Sequence, residues 1–293
     1  MRSEAIPNQG NFVQPAKLVP GDKVRFVSPA SSPDKAGVLK RVQILESWGL
    51  DVDFGEHAFE KVAYLAGTDE QRLSDFNAAL RDPEVRAIFA TRGGKGAYRI
   101  ADRLDFEAVC RDPKFLVGFS DITVLHLSLW KHCRLPGIHG APVNDDFGLI
   151  STESTTSLRE TMMTSEELVL QIRRDEETFE LTSTGNAKGP LIGGNLDMIA
   201  TAAGWALPGL QGCILLLEAA HMYLGQIDRH LTMLRKGGHF DGITGVAVGQ
   251  FTDCPPSGSW TVIDVLHQHL SELNVPILGG LPLGHGRNCL LYT

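Results

Sequence analysis

The sequence predicts an α/β protein in which parallel strands alternate with helices in two domains. Its 293 residues suit one large or two modest domains, at the usual roughly 100–200 residues per domain. Short apolar runs alternate with segments of helical periodicity, and residues 144–185 interrupt this rhythm. Because β/α alternation favours parallel pairing, we expect a parallel sheet on each side of the interruption.

Four apolar runs predict the strands of the first sheet, at residues 24–27, 50–54, 85–90 and 115–117. Helical spacing of apolar side chains predicts helices at residues 33–48, from 68 onwards, at 97–104 and at 124–133. Gly49 is expected to end the first helix. Thr68 and Gln71 form a capping-box pattern at the start of the second.

The same rhythm predicts the second sheet, with strands at 213–217, 245–251 and 275–278 and helices at 196–203, 226–234 and 262–270. The chain therefore divides into four parts. We expect a loose leader at 1–17, an N-terminal α/β domain at 18–145, a linker or flap at 146–186 and a C-terminal β/α domain at 187–293.

Composition excludes several classes of protein. A net charge of −8 without a long basic cluster argues against nucleic-acid binding. No signal peptide and no apolar stretch of about 18 residues is present, which predicts a cytoplasmic protein that does not enter a membrane. The five scattered cysteines lack a C-x-x-C pair and suit a reducing compartment.

The run from Gly118 to Thr123 places Ser120 where an apolar strand turns into a helix. Such a corner exposes the serine hydroxyl, while backbone N–H groups at the helix start can bind a developing oxyanion. The α/β-hydrolase elbow is broken, because Ile122 stands where that motif has glycine. A serine before aspartate at a helix start is also a common N-cap.

Two further residues follow predicted strands. Glu218 closes the apolar strand 214–217, at the strand end where sites in open α/β sheets gather, although it can equally cap the next helix. His285 lies between two glycines beyond the last strand, where an exposed loop histidine is the alternative. Together with Ser120 they supply a nucleophile, an imidazole base and a carboxylate that orients the base.

Other site chemistry has little support. The turn Arg92–Gly96 matches neither nucleotide-binding glycine motif, and it can instead approach a substrate or lend an oxyanion N–H. His267 and His269 lie two apart on a predicted helix and point different ways, and no H-E-x-x-H occurs. We therefore expect no cofactor and no metal.

Several separate segments resemble the LD-carboxypeptidase family of serine peptidases, which includes the microcin C self-immunity hydrolases. The similar segments, in order along about residues 18–290, are Ala90–Ala97 leading to Leu104–Asp105, Val117–His126, His139–Pro142, Gly193–Leu196, Leu217–Glu218 with Ile227–Arg229, and Gly284–Gly286.

The resemblance implies an N-terminal flavodoxin-like parallel-sheet domain, a C-terminal β/α domain and a homodimer. It implies Ser120 as nucleophile, His285 as general base and Glu218 as its orienter, with the backbone N–H groups of Asp121 and Gly94 as oxyanion-hole donors. It further implies release of the terminal D-alanine from murein tetrapeptides during cytoplasmic cell-wall recycling, with a small peptide as the binding partner.

Two features depart from the family pattern. Lys95 replaces the tyrosine expected in the glycine-rich turn, which predicts different contacts at that edge of the site. The chain ends at 290–293, short of the apolar strand expected after Gly286, and a missing strand would leave an unpaired sheet edge near His285.

Two alternative functions stay open. A peptidyl-adenylate hydrolase of the microcin C type would present an aromatic residue from the flap to stack on the base, and residues 144–185 contain only Phe147 and Phe179. A non-catalytic module that binds muropeptides would keep the groove without turnover. The presence of all three catalytic residue types argues against the second alternative.

Overall fold

The computed structural model describes residues 12–140 and 152–286. Three segments lie outside the described residues: 1–11 of the expected leader, 141–151, and the chain end at 287–293. The expected absence of a final strand concerns the last of them. Two parallel sheets organise the described parts of the chain. The predicted α/β class is therefore confirmed.

The first sheet has five strands: β1 (Lys23–Val27), β2 (Asp51–Phe54), β3 (Val85–Ala90), β4 (Phe115–Gly118) and β5 (Ile138–His139). Their spatial order is β2-β1-β3-β4-β5, with every neighbouring pair parallel. This is the flavodoxin-like order, in which ligands bind outside the carboxyl ends of the strands. The flavodoxin-like prediction is thus confirmed.

Five helices accompany this sheet: α1 (Lys35–Ser47), α2 (Asp69–Arg81), α3 (Phe106–Arg111), α4 (Thr123–Cys133) and α5 (Thr152–Met163). The predicted capping box is present at α2. The Thr68 hydroxyl accepts from the Gln71 N–H at 3.2 Å, and the Gln71 side chain accepts from the Thr68 N–H at 2.8 Å.

The predicted helix over 97–104 is wrong. Only one 3₁₀ turn, Ala97–Arg99, forms there, and α3 begins later, after Asp105 caps it by accepting from the Ala108 N–H at 3.0 Å. Backbone bonds within this segment join residues three apart, from the Ile100 N–H to the Ala97 carbonyl at 3.1 Å and from the Arg103 N–H to the Ile100 carbonyl at 3.0 Å, and side chains that follow β4 hold it in place. The Asp121 carboxylate accepts from the Ala97 N–H at 2.7 Å, and the Ser128 hydroxyl donates to the Ala101 carbonyl at 2.6 Å.

The second sheet has four parallel strands in sequential order: β6 (Leu191–Asn195), β7 (Ile214–Ala220), β8 (Gly245–Thr252) and β9 (Ile277–Leu278). Its helices are α6 (Leu196–Ala202), α7 (Leu224–Lys236) and α8 (Val262–Leu270). Neither β5 nor β6 was expected from the sequence. A two-residue strand has no periodicity, and the glycine pair in β6 hides its strand character.

The two sheets share an apolar core. Helix α4 from the first half packs against α6 and β6 from the second, within one cluster of buried side chains. The Asn195 N–H also donates to the Thr123 hydroxyl at 3.1 Å across this boundary. The carboxyl ends of β4 and β7 are therefore held near each other.

The segments flanking the first domain are anchored to it. In α5, Leu158 and Met162 are buried in the core of the first sheet. The Leu18 N–H donates to the Met162 carbonyl at 2.8 Å, and the Phe12 ring lies 5.5 Å from that of Trp130. Parts of the expected leader and of the expected flap, where they are described, thus pack on the first domain.

We find no helix in the described ranges with the length and apolar character of a membrane span.

Candidate active site

Ser120 stands on a strained corner directly after β4. Its φ is +62°, a left-handed conformation that is uncommon for a residue with a side chain. Gly118 makes the corner tight, because a Cβ added there would lie 2.8 Å from the Ile122 Cγ2 atom. The chain therefore folds back at once into the 3₁₀ turn Ser120–Ile122 and then α4. Strain of this kind is typical of serine nucleophiles on strand-to-helix turns.

Glu218, near the carboxyl end of β7, and His285, in the segment after β9, form a hydrogen-bonded pair. The Glu218 Oε2 atom lies 2.7 Å from the His285 Nδ1 atom, and the Glu218 side chain is completely buried. Gly284 permits this approach, since a Cβ added there would lie 3.2 Å from the same carboxylate oxygen. The carboxylate therefore fixes the imidazole with its Nε2 atom directed away from Glu218.

The pKa of Glu218 lies below its ordinary value although the group is buried. Burial acts to raise this pKa, but the charge and hydrogen bond of His285 outweigh it. Nearby His139 and the Asn195 side chain act in the same direction. Glu218 is thus held as a carboxylate.

Phe119 connects the serine corner to this pair. Its ring centroid lies 5.0 Å from that of His285 and 6.2 Å from that of His139, which it meets edge-on. Because Phe119 immediately precedes Ser120, this packing brings the serine corner of the first sheet against the imidazole of the second. The residue before Ser120 therefore contacts His285, which in turn bonds to Glu218.

His139 is a second imidazole beside Glu218. It ends β5, is 5% exposed, and has its Nε2 atom 3.9 Å from the Glu218 Oε1 atom. Burial lowers the pKa of His139 against the raising effect of the Glu218 charge, and the charge of His285 lowers it further. From the sequence His139 was only part of a family-like segment, because its strand is too short to be recognised and its contact with Glu218 is a tertiary one.

Asn195 was also only part of a family-like segment, because the glycine pair in β6 hides the strand that it ends. It ends β6 opposite Glu218 in the strand register, and its side chain caps α6 by accepting from the Met198 N–H at 3.4 Å. The Asn-Leu pair at a strand-to-helix boundary was the available signal. It indicates an N-cap, but not that the cap adjoins a carboxylate.

The glycine-rich turn lies against the nucleophile corner. A Cβ added at Gly93 would lie 2.9 Å from the Ser120 Cβ atom and 3.3 Å from its Oγ atom. Gly94 has a φ of +100° and packs on Ser31. The turn contacts Ser120 through Gly93, and Lys95 is exposed at its outer edge.

No group of three or more histidine, cysteine, aspartate or glutamate side chains in the described part of the chain is arranged to hold a metal ion.

Fold and site together define an α/β protein with a serine on a strained turn beside a buried carboxylate–imidazole pair, the groups from which serine hydrolases are built. Two family models match the sequence. The LD-carboxypeptidase N-terminal domain matches residues 24–140, and the LD-carboxypeptidase C-terminal domain matches residues 188–292. The chain belongs to the LD-carboxypeptidase family, and the resemblance noted from its motifs is confirmed.

Similar proteins carry names that agree with this family. A probable murein peptide carboxypeptidase of Bacillus subtilis is 33% identical over 278 residues, covering 93% of this chain and 86% of the relative. A murein tetrapeptide carboxypeptidase of Pseudomonas aeruginosa is 31% identical over 273 residues, covering 90% and 88%.

Solved structures show the same fold. A muramoyltetrapeptide carboxypeptidase from Oxalobacter formigenes superposes with a TM-score of 0.81 at 26% identity, covering 92% of this chain and 91% of that one. The microcin C7 self-immunity protein in complex with aspartyl sulfamoyl adenosine gives a TM-score of 0.83 at 22% identity, covering 95% and 92%.

Proposed function

We propose that this protein is a serine-type LD-carboxypeptidase that releases the terminal D-alanine from murein tetrapeptides. The observation that carries the proposal is the hydrogen bond of 2.7 Å between the completely buried Glu218 and His285, together with a serine held at a φ of +62°. Family membership and the murein carboxypeptidase relatives support the substrate class.

In the proposed acylation step, the His285 Nε2 atom takes the Ser120 hydroxyl proton while Oγ attacks the carbonyl carbon of the L,D-peptide bond. The tetrahedral intermediate collapses as the C–N bond breaks. The leaving amine of D-alanine takes the proton from His285, which leaves an acyl-enzyme on Ser120. Glu218 stabilises the imidazolium formed in between.

Deacylation reverses the roles. A water molecule gives a proton to His285 and attacks the ester carbonyl, and the released Ser120 oxygen recovers that proton. In both steps negative charge develops on the carbonyl oxygen. The backbone N–H groups of Asp121 and Gly94 are the proposed donors to it, supported by their places after the nucleophile and in the turn that touches it.

The proposal includes a cytoplasmic homodimer with an N-terminal domain at 18–145 and a C-terminal domain at 187–293. The matched family models at 24–140 and 188–292 support these boundaries. The family resemblance supports the dimer and the location. Sedimentation analysis of the purified protein tests the dimer directly.

A second candidate is hydrolysis of peptidyl-nucleotide antibiotics. It is favoured by a microcin C7 self-immunity protein of Escherichia coli that is 25% identical over 302 residues, covering 92% of this chain and 88% of the relative. Phe179, the aromatic residue in the described part of the connecting segment, packs on Gly280 and under the Arg174 guanidinium. This packing does not favour stacking on a base.

The test compares wild type with Ser120→Ala and with Ser47→Ala, a control that removes an exposed hydroxyl bonded only to the Ile44 carbonyl at 2.6 Å. Each protein is incubated with a murein tetrapeptide and with a peptidyl-adenylate analogue, and products are followed by mass spectrometry. We expect D-alanine release by wild type and Ser47→Ala and a loss of about 10⁴-fold or more in Ser120→Ala.

Nucleotide-side cleavage that depends on Ser120 would instead assign the antibiotic-hydrolase function. Equal tetrapeptide binding by wild type and Ser120→Ala, with no turnover by either, would make the protein a binding module. D-alanine release by Ser120→Ala at the wild-type rate would refute the assigned nucleophile.

A further inference from the structure

A buried carboxylate lies between the serine corner and the glycine-rich turn. Asp121 follows Ser120 in the 3₁₀ turn and is 1% exposed. The proposed acylation and deacylation steps use only its backbone N–H. A buried acidic side chain without a role in those steps requires an explanation, because burying a carboxyl group is costly unless it is hydrogen-bonded.

The Asp121 carboxylate bonds to the end of the glycine-rich turn. Its Oδ2 atom accepts from the Ala97 N–H at 2.7 Å. Gly96 directly precedes Ala97 and has a φ of +118°, which turns this N–H towards the serine corner. The side chain of Asp121, the residue after Ser120, therefore anchors Ala97, the residue after the glycine-rich turn.

Two other residues hold the turn from the body of the first domain. The Arg72 Nη1 atom donates to the Gly96 carbonyl at 2.9 Å, from a guanidinium that is itself fully buried. Ser31 holds the other end: its N–H donates to the Gly93 carbonyl at 3.2 Å, and its hydroxyl accepts from the Lys95 N–H at 3.1 Å. Arg72 and Ser31 fix the turn to α2 and to the loop after β1.

Asp121 differs from these two because it belongs to the nucleophile's own turn. Its hydrogen bond sets the separation between the serine corner and the glycine-rich turn directly, whereas Ser31 and Arg72 set it through the rest of the domain. A displacement of about 1 Å in a catalytic group can cost about 100-fold in rate. The direct hydrogen bond between the serine corner and the end of the glycine-rich turn opposes such a displacement.

We propose that the Asp121 side chain is a positioning residue, which anchors Ala97 and thereby holds the glycine-rich turn and its oxyanion-hole donor in register with Ser120. This inference rests on the proposed function, because the oxyanion hole belongs to that mechanism. It assigns to the side chain a role separate from that of the Asp121 backbone N–H.

The surroundings of Asp121 indicate that the anchor does not need a negative charge. Burial raises the pKa of Asp121 to about 7, against the lowering effects of the Ala97 hydrogen bond and the Arg72 charge. Asp197 acts to raise it further and Lys95 to lower it. Both protonation states are therefore populated near neutral pH, and in each of them a carboxyl oxygen can accept from Ala97. An asparagine amide oxygen can do the same.

The test compares Asp121→Ala, which removes the acceptor, with Asp121→Asn, which keeps it. Asp264→Ala is the matched control, since the Asp264 Oδ2 atom also accepts from a backbone N–H, that of Thr261, at 2.7 Å, but at an exposed helix start in the second domain. We expect kcat for D-alanine release to fall about 10- to 100-fold in Asp121→Ala with KM within twofold, which is less than complete loss of an oxyanion donor. Asp121→Asn should stay within threefold of wild type, and Asp264→Ala within twofold.

An unchanged kcat in Asp121→Ala overturns the proposal. So does an equal loss in Asp121→Asn, because the charge and not the acceptor would then matter, and so does a rise in KM alone. If thermal denaturation shows that Asp121→Ala is unfolded, Asp121→Leu fills the space without an acceptor and the same predictions apply to it.

Labelling of Ser120 by a fluorophosphonate separates this inference from the proposed substrate. The serine oxygen bonds to phosphorus as its proton passes to the His285 Nε2 atom and fluoride leaves. The phosphoryl oxygen occupies the oxyanion position, so no tetrapeptide is needed. If wild type is labelled but releases no D-alanine, the substrate proposal fails and the labelling rates still rank the Asp121 variants. Equal labelling rates for wild type, Asp121→Asn and Asp121→Ala would refute the positioning role alone.

Discussion

The candidate site contains two buried carboxyl groups, one in β7 of the second sheet and one in the turn after β4 of the first, and their pKa values are shifted in opposite directions. Glu218 on the second sheet is completely buried, yet its pKa is held below the ordinary value against burial by the charge and hydrogen bond of His285. Asp121, in the turn after β4, is 1% exposed, and burial raises its pKa to about 7 because the hydrogen bond from the neutral Ala97 amide and the Arg72 charge lower it by less. Burial alone therefore does not decide the charge of a site carboxylate; the partner does.

The difference suits two tasks. A carboxylate that orients a base must stay charged when the imidazole takes a proton, and Glu218 meets this requirement. A carboxyl group that only anchors a loop needs one acceptor oxygen in either state, and a permanent charge there would oppose the developing oxyanion.

The largest effect is expected from Glu218→Gln, which removes the charge and lets the amide stabilise the wrong imidazole tautomer. We expect kcat for D-alanine release to fall by about 10⁴-fold, as for the aspartate of other triads. Steady-state kinetics beside Glu272→Gln, which alters an exposed ion pair with Arg235, provide the control. A fall of less than tenfold would contradict the orienting role of Glu218.

Gly93→Ala tests the contact between the glycine-rich turn and Ser120. The new methyl group would lie 2.9 Å from the Ser120 Cβ atom, so one of the two must move. We expect kcat to fall by about 100-fold. Gly209→Ala, where no atom lies within 4 Å of the added carbon, should leave kcat unchanged. Wild-type turnover in Gly93→Ala would show that the turn and the serine are not closely coupled.

The smallest expected effect is on the pH dependence of the free energy of unfolding, which a comparison of wild type with Asp121→Asn measures. The folded-state pKa of about 7 lies above the ordinary value of 3.8, so the protonated group's contribution is complete below pH 3.8 and is lost as pH rises through 7. Wild type should therefore lose on the order of 2 kcal/mol relative to Asp121→Asn between pH 5 and pH 8.

Thermal denaturation of both proteins across that range measures the difference. Asp264→Asn is the control, because hydrogen bonds from Thr261 lower the pKa of Asp264 and its contribution is constant above pH 5. A difference between wild type and Asp121→Asn that does not change with pH would contradict the raised pKa.

Ser120, Glu218 and His285 could be proposed from the sequence because each follows a recognisable apolar run, and sites in α/β proteins gather beyond the carboxyl ends of parallel strands. It did not locate His139 or the role of the Asp121 side chain. His139 ends a strand of two residues, and the Asp121 side chain bonds to Ala97, which is distant in the chain. Contacts of this kind leave no local pattern.

The wrong helix at 97–104 has a related cause. Ile100, Ala101 and Leu104 are buried at helical spacing, so the pattern was real. Tertiary bonds from the Ala97 N–H to Asp121 and from the Ser128 hydroxyl to the Ala101 carbonyl hold the segment in turns whose backbone bonds join residues three apart, as from the Ile100 N–H to the Ala97 carbonyl at 3.1 Å. Tertiary hydrogen bonds around the site outweighed local propensity.

The distribution of the proposed site residues over two sheets has a consequence during synthesis of the chain. The serine belongs to the half that leaves the ribosome first, whereas the carboxylate and the imidazole follow in the second half. In the proposed mechanism, an unfinished or broken polypeptide carries a serine without a base and is inert. In that mechanism hydrolysis requires the second half to be present with α6 and β6 packed on α4.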